Sequence, residues 1–305
     1  MQNFGIVVKF HKPEAADLAI QLGMYLRSKK KTVFFAEESA PIAKELASKL
    51  KEPLGGQKAQ AKAGVQVVDK PKLVSHTDLI IVCGGDGTFL SIARLMSERS
   101  VPVMGVNLGR LGFLTEIRYD EGLAVLKRIV EKGALKVSER ALLEVELKRK
   151  GKTVFSAPVV NDAVIAKGAI ARIIGLEIKV DGRAINNLRA DGVIISTPTG
   201  STAYSLAAGG PILEPSLHAL VLSPICPHSL TQRPIVLSDR KELQLTLKDR
   251  PGQVFLTLDG QDVVDMKVDD VVVVRRFQKH SLQIVNSPDR DYFSLLQEKL
   301  NFGMR

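Results

Sequence analysis

The chain runs to 305 residues, 45% hydrophobic and 25% charged, which suits an ordered globular protein with room for two cores and excludes a disordered or fibrous one. A formal net charge of +10 admits phosphate-rich partners, but the basic runs at 27–31 and 148–152 carry no interleaved aromatics and tryptophan is absent, so no nucleic-acid partner is expected and the field would instead steer small polyanions. Two cysteines, no membrane-length apolar run and no basic, apolar leader after Met1 point to a cytoplasmic chain with no membrane partner and no disulfide framework.

The first third alternates strand and helix patterns. Residues 5–10 read as a short strand, and Pro13 suits the first position of a helix, where its missing N–H would be unpaired anyway. Ala15, Leu18, Ala19, Leu22 and Leu26 form that helix's apolar stripe. Further strands are expected at 32–35, 79–83 and 101–106, with helices over 41–51 and after Asp86. Asp120 is placed to cap one more helix, with Leu123, Leu126, Ile129 and Val130 facing inward. Such alternation predicts a parallel sheet, whose ligands gather at the carboxyl ends of its strands.

The strongest signal in this part is Gly84-Gly85-Asp86-Gly87-Thr88, directly behind the apolar run 79–83. Three glycines around one carboxylate let a backbone approach a ligand closely and adopt dihedrals that a Cβ forbids, with Asp86 expected to point into the space above the strand end. Leu90, Ile92, Ala93 and Met96 then recur at helical spacing, so free N–H groups at the helix start would favour an anion. The alternative is a plain Asp turn. It is not a dinucleotide fingerprint, since Leu90 stands where the last glycine belongs, and no G-x-x-x-x-G-K-[ST] occurs.

From about Ser138 the period becomes twofold. Leu143, Val145 and Leu147 alternate with polar residues, Leu176, Ile178 and Val180 lead into the hairpin signal Asp181-Gly182, and runs at 193–195, 243–247, 254–258 and 271–274 continue the pattern. Phe293, Leu296 and Leu300 return to helical spacing. Within the β region, Asn161-Asp162 sits in an apolar strand, and both side chains can reach one ligand only at a bulge or strand end, because neighbours along a strand face opposite ways. An ordinary Asn-Asp turn is the competing reading. The block 189–211 runs from Arg189-Ala190-Asp191-Gly192 through a strand into Thr197-Pro198-Thr199-Gly200-Ser201-Thr202-Ala203-Tyr204-Ser205, more hydroxyls than a helix cap needs and enough to bind ribose, phosphate or adenine. Cys226 and His228 lie two residues apart, but a nucleophile also needs a third orienting group, so the Pro-flanked loop at 224–227 is read as shaping the site.

Together these motifs closely resemble those of the NAD kinases, which phosphorylate the adenosine ribose 2′-hydroxyl of NAD. The match takes in the turn 84–88, Gly105-Val106-Asn107-Leu108-Gly109-Arg110-Leu111-Gly112-Phe113-Leu114, Asn161-Asp162, the block 189–211, the segment 224–234 and Asp259-Gly260-Gln261, in family order from about 80 to 262. The resemblance implies Asp86 as proton acceptor and Gly87, Asn161, Asp162, Arg172, Arg189, Asp191, Thr202, Ala203, Tyr204, Ser205, Leu206, Ala207 and Gln261 as NAD-binding, with no metal ligand assigned. It also implies ATP or polyphosphate as donor, a divalent cation with Mg²⁺ expected, and a homodimer or homotetramer. The implied fold is a Rossmann-like α/β domain with a parallel sheet over 1–137, a mainly β NAD-binding domain over 138–285, and a segment 286–305 whose helix packs back on the first domain. The family's second motif is most often Asn-Glu, so Asp162 reaches one methylene less far. Two alternatives remain: a diacylglycerol- or sphingosine-type lipid kinase, which shares the Gly-Gly-Asp-Gly-Thr turn, and a nucleotide sensor without turnover.

Overall fold

Apolar strands too short to stand alone collect here into three sheets. The computed structural model describes residues 1–9, 11–56, 64–96, 99–109, 111–169, 172–249 and 252–301. Phe10 and Arg110 lie outside them. The chain divides into one unit of Met1–Glu139 with Leu282–Arg305 and a second of Arg140–Ser281.

The first unit contains β1 (Asn3–Val8), α1 (Pro13–Ser28), β2 (Thr32–Ala36), α2 (Ala40–Leu50), β3 (Leu54–Gly55), β4 (Val65–Val68), α3 (Lys70–His76), β5 (Leu79–Cys83), α4 (Asp86–Ala93), β6 (Val103–Asn107), β7 (Ile117–Arg118), α5 (Gly122–Lys132) and β8 (Val137–Arg140). The second contains β9 (Leu143–Arg149), β10 (Lys152–Val159), β11 (Asp162–Lys167), β12 (Ile174–Val180), β13 (Arg183–Ala190), β14 (Gly192–Ser196), α6 (Tyr204–Ala207), β15 (Ala219–Ile225), β16 (Ile235–Ser238), β17 (Leu243–Asp249), β18 (Val254–Leu258), β19 (Asp262–Asp265) and β20 (Val271–Arg276). The chain then returns to the first unit with β21 (Leu282–Val285) and α7 (Tyr292–Leu300).

In the first unit the strand order is β3-β4-β2-β1-β5-β6-β21-β8, with β7 also on β6. β1 pairs with both β2 and β5 in parallel, so the chain grows outward in one direction through β2 and β4 and in the other through β5 and β6. The reversal falls between β1 and β5, where side chains at the strand ends leave a crevice. α1 begins at Pro13 as its sequence requires, and Leu18, Leu22 and Leu26 are fully buried in the core of this unit. α5 starts at Gly122 after Glu121, with no side-chain cap, so Asp120 does not serve as the expected N-cap.

Two six-stranded antiparallel sheets form the second unit, ordered β10-β9-β20-β17-β12-β13 and β16-β15-β14-β11-β18-β19. Alternation buries one face of each, as with Leu143, Val145 and Leu147 on β9, and Leu256, Ile165 and Ile195 join the same core. Asp181 (φ 49°) and Gly182 (φ 79°) make the expected two-residue hairpin between β12 and β13. No helix among the described residues is long and apolar enough to cross a membrane.

Candidate active site

β5 carries its apolar run into Gly84, and α4 begins at Asp86 with Gly85 as N-cap. None of Gly84, Gly85 and Gly87 has a positive φ, so these glycines are not needed for dihedrals that a Cβ would forbid, contrary to the expectation. What they supply is room. A Cβ on Gly84 would lie 2.7 Å from Thr88 Oγ1, whereas Gly85 and Gly87 face open space.

Nor does the Asp86 carboxylate stand free above the strand end. Its Oδ2 accepts from Phe113 N–H (3.0 Å), and its Oδ1 from Leu114 N–H (3.2 Å), Thr115 N–H (3.1 Å) and the Thr115 hydroxyl (2.8 Å). Asn107 Nδ2 donates in turn to Thr115 Oγ1 (2.8 Å), while Asn107 Oδ1 accepts from Gly109 N–H (2.8 Å). Gly112 makes this cradle possible, since a Cβ there would fall 1.8 Å from Asp86 Oδ1. The loop is backed by α7, whose Lys299 Nζ lies 5.3 Å from the centre of the Phe113 ring. Sequence reasoning named the 105–114 motif but assigned no role to Asn107 or Gly112, and it missed Thr115.

Beside Asp86 lies a cavity of about 420 Å³, lined by Lys9, Lys12, Glu14, Gly85, Asn107, Leu108, Gly109, Gly112 and Lys299. It occupies the reversal point, because Lys9 directly follows β1 and Gly85 follows β5. Three ammonium groups and the N-terminus of α4 outweigh the carboxylates of Glu14 and Asp86 and give it the electrostatics of an anion site. Lys9, Lys12 and Lys299 carried no signal in sequence, where an isolated lysine is a solvated surface residue.

In the second unit Asn161 stands in the bend before β11 and Asp162 is that strand's first residue, so the pair sits at the strand end that joint action on one ligand requires. Asp259 (φ 50°) and Gly260 (φ 65°) form the two-residue turn between β18 and β19, closed by Gln261 N–H on the Leu258 carbonyl at 2.9 Å. The Asp259 carboxylate reaches back to accept from Val160 N–H (2.9 Å), Asn161 N–H (2.7 Å) and Asp162 N–H (3.1 Å). Read as a turn residue, Asp259 also proves to organise the Asn161-Asp162 corner. Burial, helped by the nearby Asp259 charge, pushes the Asp162 carboxyl up to about 7.

The block after β14 packs on the same corner. A Cβ at Gly200 would meet the Asn161 carbonyl at 2.1 Å, and Thr197 Oγ1 donates to the Val160 carbonyl (2.6 Å) while accepting from Gly200 N–H (2.9 Å). Ser201 Oγ bonds the Pro198 carbonyl (2.6 Å) and Leu213 N–H (2.9 Å), and Ser205 Oγ bonds Ser223 Oγ (3.0 Å). These hydroxyls therefore build the loop, whereas Thr199 Oγ1 is buried with no partner and Tyr204 is exposed. Gln261 is exposed at the neighbouring turn.

Arg189 and Asp191 lie elsewhere, and Arg172 stands in the segment before β12. Asp191 precedes β14 and Ser196 ends it, a separation of roughly 17 Å at strand rise. At that far end Lys167 Nζ pairs with Asp191 (2.8 Å), Arg189 Nη1 lies 3.8 Å from Asp249, and His228 N–H holds the Arg189 carbonyl (2.9 Å). The structure thus brings Asn161, Asp162, Gln261 and the 199–207 segment together at one end of the β11/β14 pair, and Arg189 and Asp191 lie at the other.

The ATP-NAD kinase N-terminal domain family matches residues 4–134 and the ATP-NAD kinase C-terminal domain family residues 160–287. The chain belongs to the NAD kinase family. The NAD kinases of Geotalea daltonii and Geobacter sulfurreducens are 44% and 42% identical to it over 305 residues, each alignment covering the whole of both chains. Among solved structures, yeast NADH kinase complexed with NADH matches with a TM-score of 0.88 at 28% identity, over 100% of this chain and 89% of that one. An NAD kinase from Archaeoglobus fulgidus in complex with ATP shares the fold, with a TM-score of 0.67 over 98% of each chain and 22% identity. NAD kinase membership favours the NAD 2′-phosphotransferase reading over the lipid-kinase and sensor alternatives.

Proposed function

We propose that the chain transfers the γ-phosphoryl group of ATP to the adenosine ribose 2′-hydroxyl of NAD, giving NADP and ADP, with Asp86 as proton acceptor. The carrying observation is the position of Asp86, fixed by the 113–115 peptides on the wall of a lysine-lined cavity at the sheet's reversal point. The attacking oxygen forms a bond to phosphorus as the bond to the ADP oxygen breaks, and the hydroxyl proton passes to a carboxylate oxygen. Oδ1 already takes three donors and Oδ2 only one, so Oδ2 keeps the lone pair for that proton. An alcohol loses its proton readily only as this bond forms, which is why positioning matters more than basicity. Lys9, Lys12 and the α4 N-terminus would hold the donor's phosphates and offset their charge.

In this reading Asn161, Asp162, Gln261, Tyr204 and the segment 202–207 hold NAD, with the Asp162 carboxylate accepting from ligand hydroxyls. Gly87, with open space where a Cβ would stand, would lie against the dinucleotide. Among the described residues no cluster of three His, Cys, Asp or Glu side chains offers a metal cage, so the divalent cation is assigned to the donor's phosphates. Its chemistry there is neutralisation of phosphate charge. A homo-oligomer is expected, with Arg172, Arg189 and Asp191 meeting the dinucleotide bound to a neighbouring copy, since within one chain Asp191 stands far along β14 from Asp162. The setting is the cytoplasm, where Cys83 and Cys226 stay unpaired.

A coupled assay of NADP formation tests this, with ATP and polyphosphate as parallel donors, each with and without Mg²⁺. NADP should appear with ATP and Mg²⁺. Absence of NADP in every arm would overturn the assignment.

A further inference from the structure

The basic run at 148–152 has no part in phosphotransfer, yet it borders a cavity of about 720 Å³ in the second unit. The β9–β10 turn at 148–151, Gln244 on β17, the segment 267–270 and the valines 271 and 273 of β20 line it. In register Val271 pairs with Lys148 and Val273 with Gln244, and these four alternate with Leu147, Leu245 and Val272 of the core, so the cavity lies on the sheet's outward face. An outward face of an antiparallel sheet is ordinarily polar, but two valines stand here and Val268 beside them is 47% exposed. The rim is cationic. Asp270, 1% exposed, accepts from Arg149 Nε (3.0 Å) and Nη2 (2.7 Å) and from Lys267 N–H (2.8 Å), which takes up its charge and fixes the rim. Glu146, 3.4 Å from Lys148 Nζ, is already held by Arg275. Among the described residues the ammonium groups of Lys150 and Lys267 have no carboxylate partner, so positive charge exceeds the one remaining carboxylate of the lining, Asp269.

We propose that this cavity binds a fatty-acid anion, its carboxylate between Lys150 and Lys267 and its alkyl chain along Val268, Val271 and the lysine stems. Unpaired ammonium groups at the rim set the sign of the head, and aliphatic walls set the character of the tail. The lining contains no aromatic side chain, so a nucleobase would find nothing to stack on, and an inorganic polyphosphate would gain nothing from the valines. An alkyl chain gains about fourfold in affinity for each CH₂ it buries, and a carboxylate head keeps the strongest attraction where no counter-charge competes. None of the lining residues belongs to the candidate active site, so the inference stands apart from the phosphotransfer reading.

Calorimetry on the full-length protein tests this with dodecanoate, octanoate and dodecyltrimethylammonium, all below micelle formation. Dodecanoate should saturate one site and bind at least about tenfold more tightly than octanoate, which has four fewer CH₂ groups, or than the cation of equal chain length. Lys150→Glu combined with Lys267→Glu, and separately Val268→Asp, should each weaken dodecanoate about tenfold while the rate of NADP formation stays as it was. Saturating NAD and tripolyphosphate should leave dodecanoate in place. Hydrogen exchange in the unaltered protein should slow at 148–151 and 267–271 when dodecanoate is added. Equal affinity for the two chain lengths, unchanged binding in both variants, displacement by tripolyphosphate, or protection confined to other segments would each overturn the proposal. Association with phosphatidylglycerol vesicles but not with free dodecanoate would overturn it in favour of a membrane surface.

Discussion

Four hydrogen bonds converge on the Asp86 carboxylate, so its replacement acts in two ways. Asp86→Asn removes the proposed proton acceptor and turns an amide N–H toward backbone N–H groups. We expect kcat to fall about 10²- to 10⁴-fold with NAD binding retained, and stability to fall by about 1–3 kcal/mol, read by denaturant melts. Gly112→Ala should reproduce the kcat loss with Asp86 intact, because its Cβ must displace Oδ1 from 1.8 Å. Gly85→Ala is the contrast: at φ −99° with open space around it, the variant should keep its Tm and raise only the KM for ATP. Asp162 links the site to pH. Its carboxyl titrates near 7 in the folded chain, far above its ordinary range, so between about pH 4 and 7 the folded state keeps a proton that the unfolded state has lost. Stability from this group is therefore complete below about pH 4 and lost as pH rises through 7, by at most about 4 kcal/mol. Asp162→Asn should flatten that limb of the Tm profile. NAD affinity, if the carboxylate accepts its hydroxyls, should rise through pH 7 in the unaltered protein and not in the variant.

At the scale of elements, the corner at Asn161-Asp162 depends on a hairpin turn about a hundred residues later in the chain. Asp259→Ala should leave three backbone N–H groups without their acceptor and lose the side chain that tolerates φ 50°. We expect a fall of about 2–4 kcal/mol in unfolding free energy together with a raised KM for NAD and an unchanged KM for ATP. A stable variant with an unchanged NAD KM would detach the turn from the site. In α7, the capping box between Asp291 and Ser294 starts the helix, and Arg290 pairs with Glu121 at 2.5 Å to hold that start against α5's N-terminus. This helix positions Lys299 over Phe113 and thereby braces the loop that holds Asp86.

For the whole molecule, the order of units along the chain matters. The second unit is inserted into the first, and β21 returns to lie between β6 and β8 in the parallel sheet. A fragment ending at 139 lacks β21 and α7 and leaves an apolar edge on β6, so it should aggregate or stay unfolded. The fragment 140–281 contains both sheets of its unit and their shared core, and should fold alone with the circular dichroism of a β protein. A cooperative melt from the first fragment would contradict this account.

Much of the fold was legible because it is written in short-range patterns. Leu18, Leu22 and Leu26 announce α1 by their spacing, Leu143, Val145 and Leu147 announce β9, and Asp181-Gly182 announces its hairpin; each depends on neighbours along the chain. β4, α3 and β21 were missed, being four to seven residues long and too brief to show a period. Among the candidate residues, sequence singled out Asp86, Asn161 and Asp162 and supplied the family in which their order recurs. It did not supply the donors at 113–115 that hold Asp86, the reach of Asp259 back to 160–162, or the separation of Arg189 and Asp191 from Asp162. Those are set by which strands lie side by side and by how closely loops approach, and contacts between residues remote in sequence come into being only when the chain closes on itself.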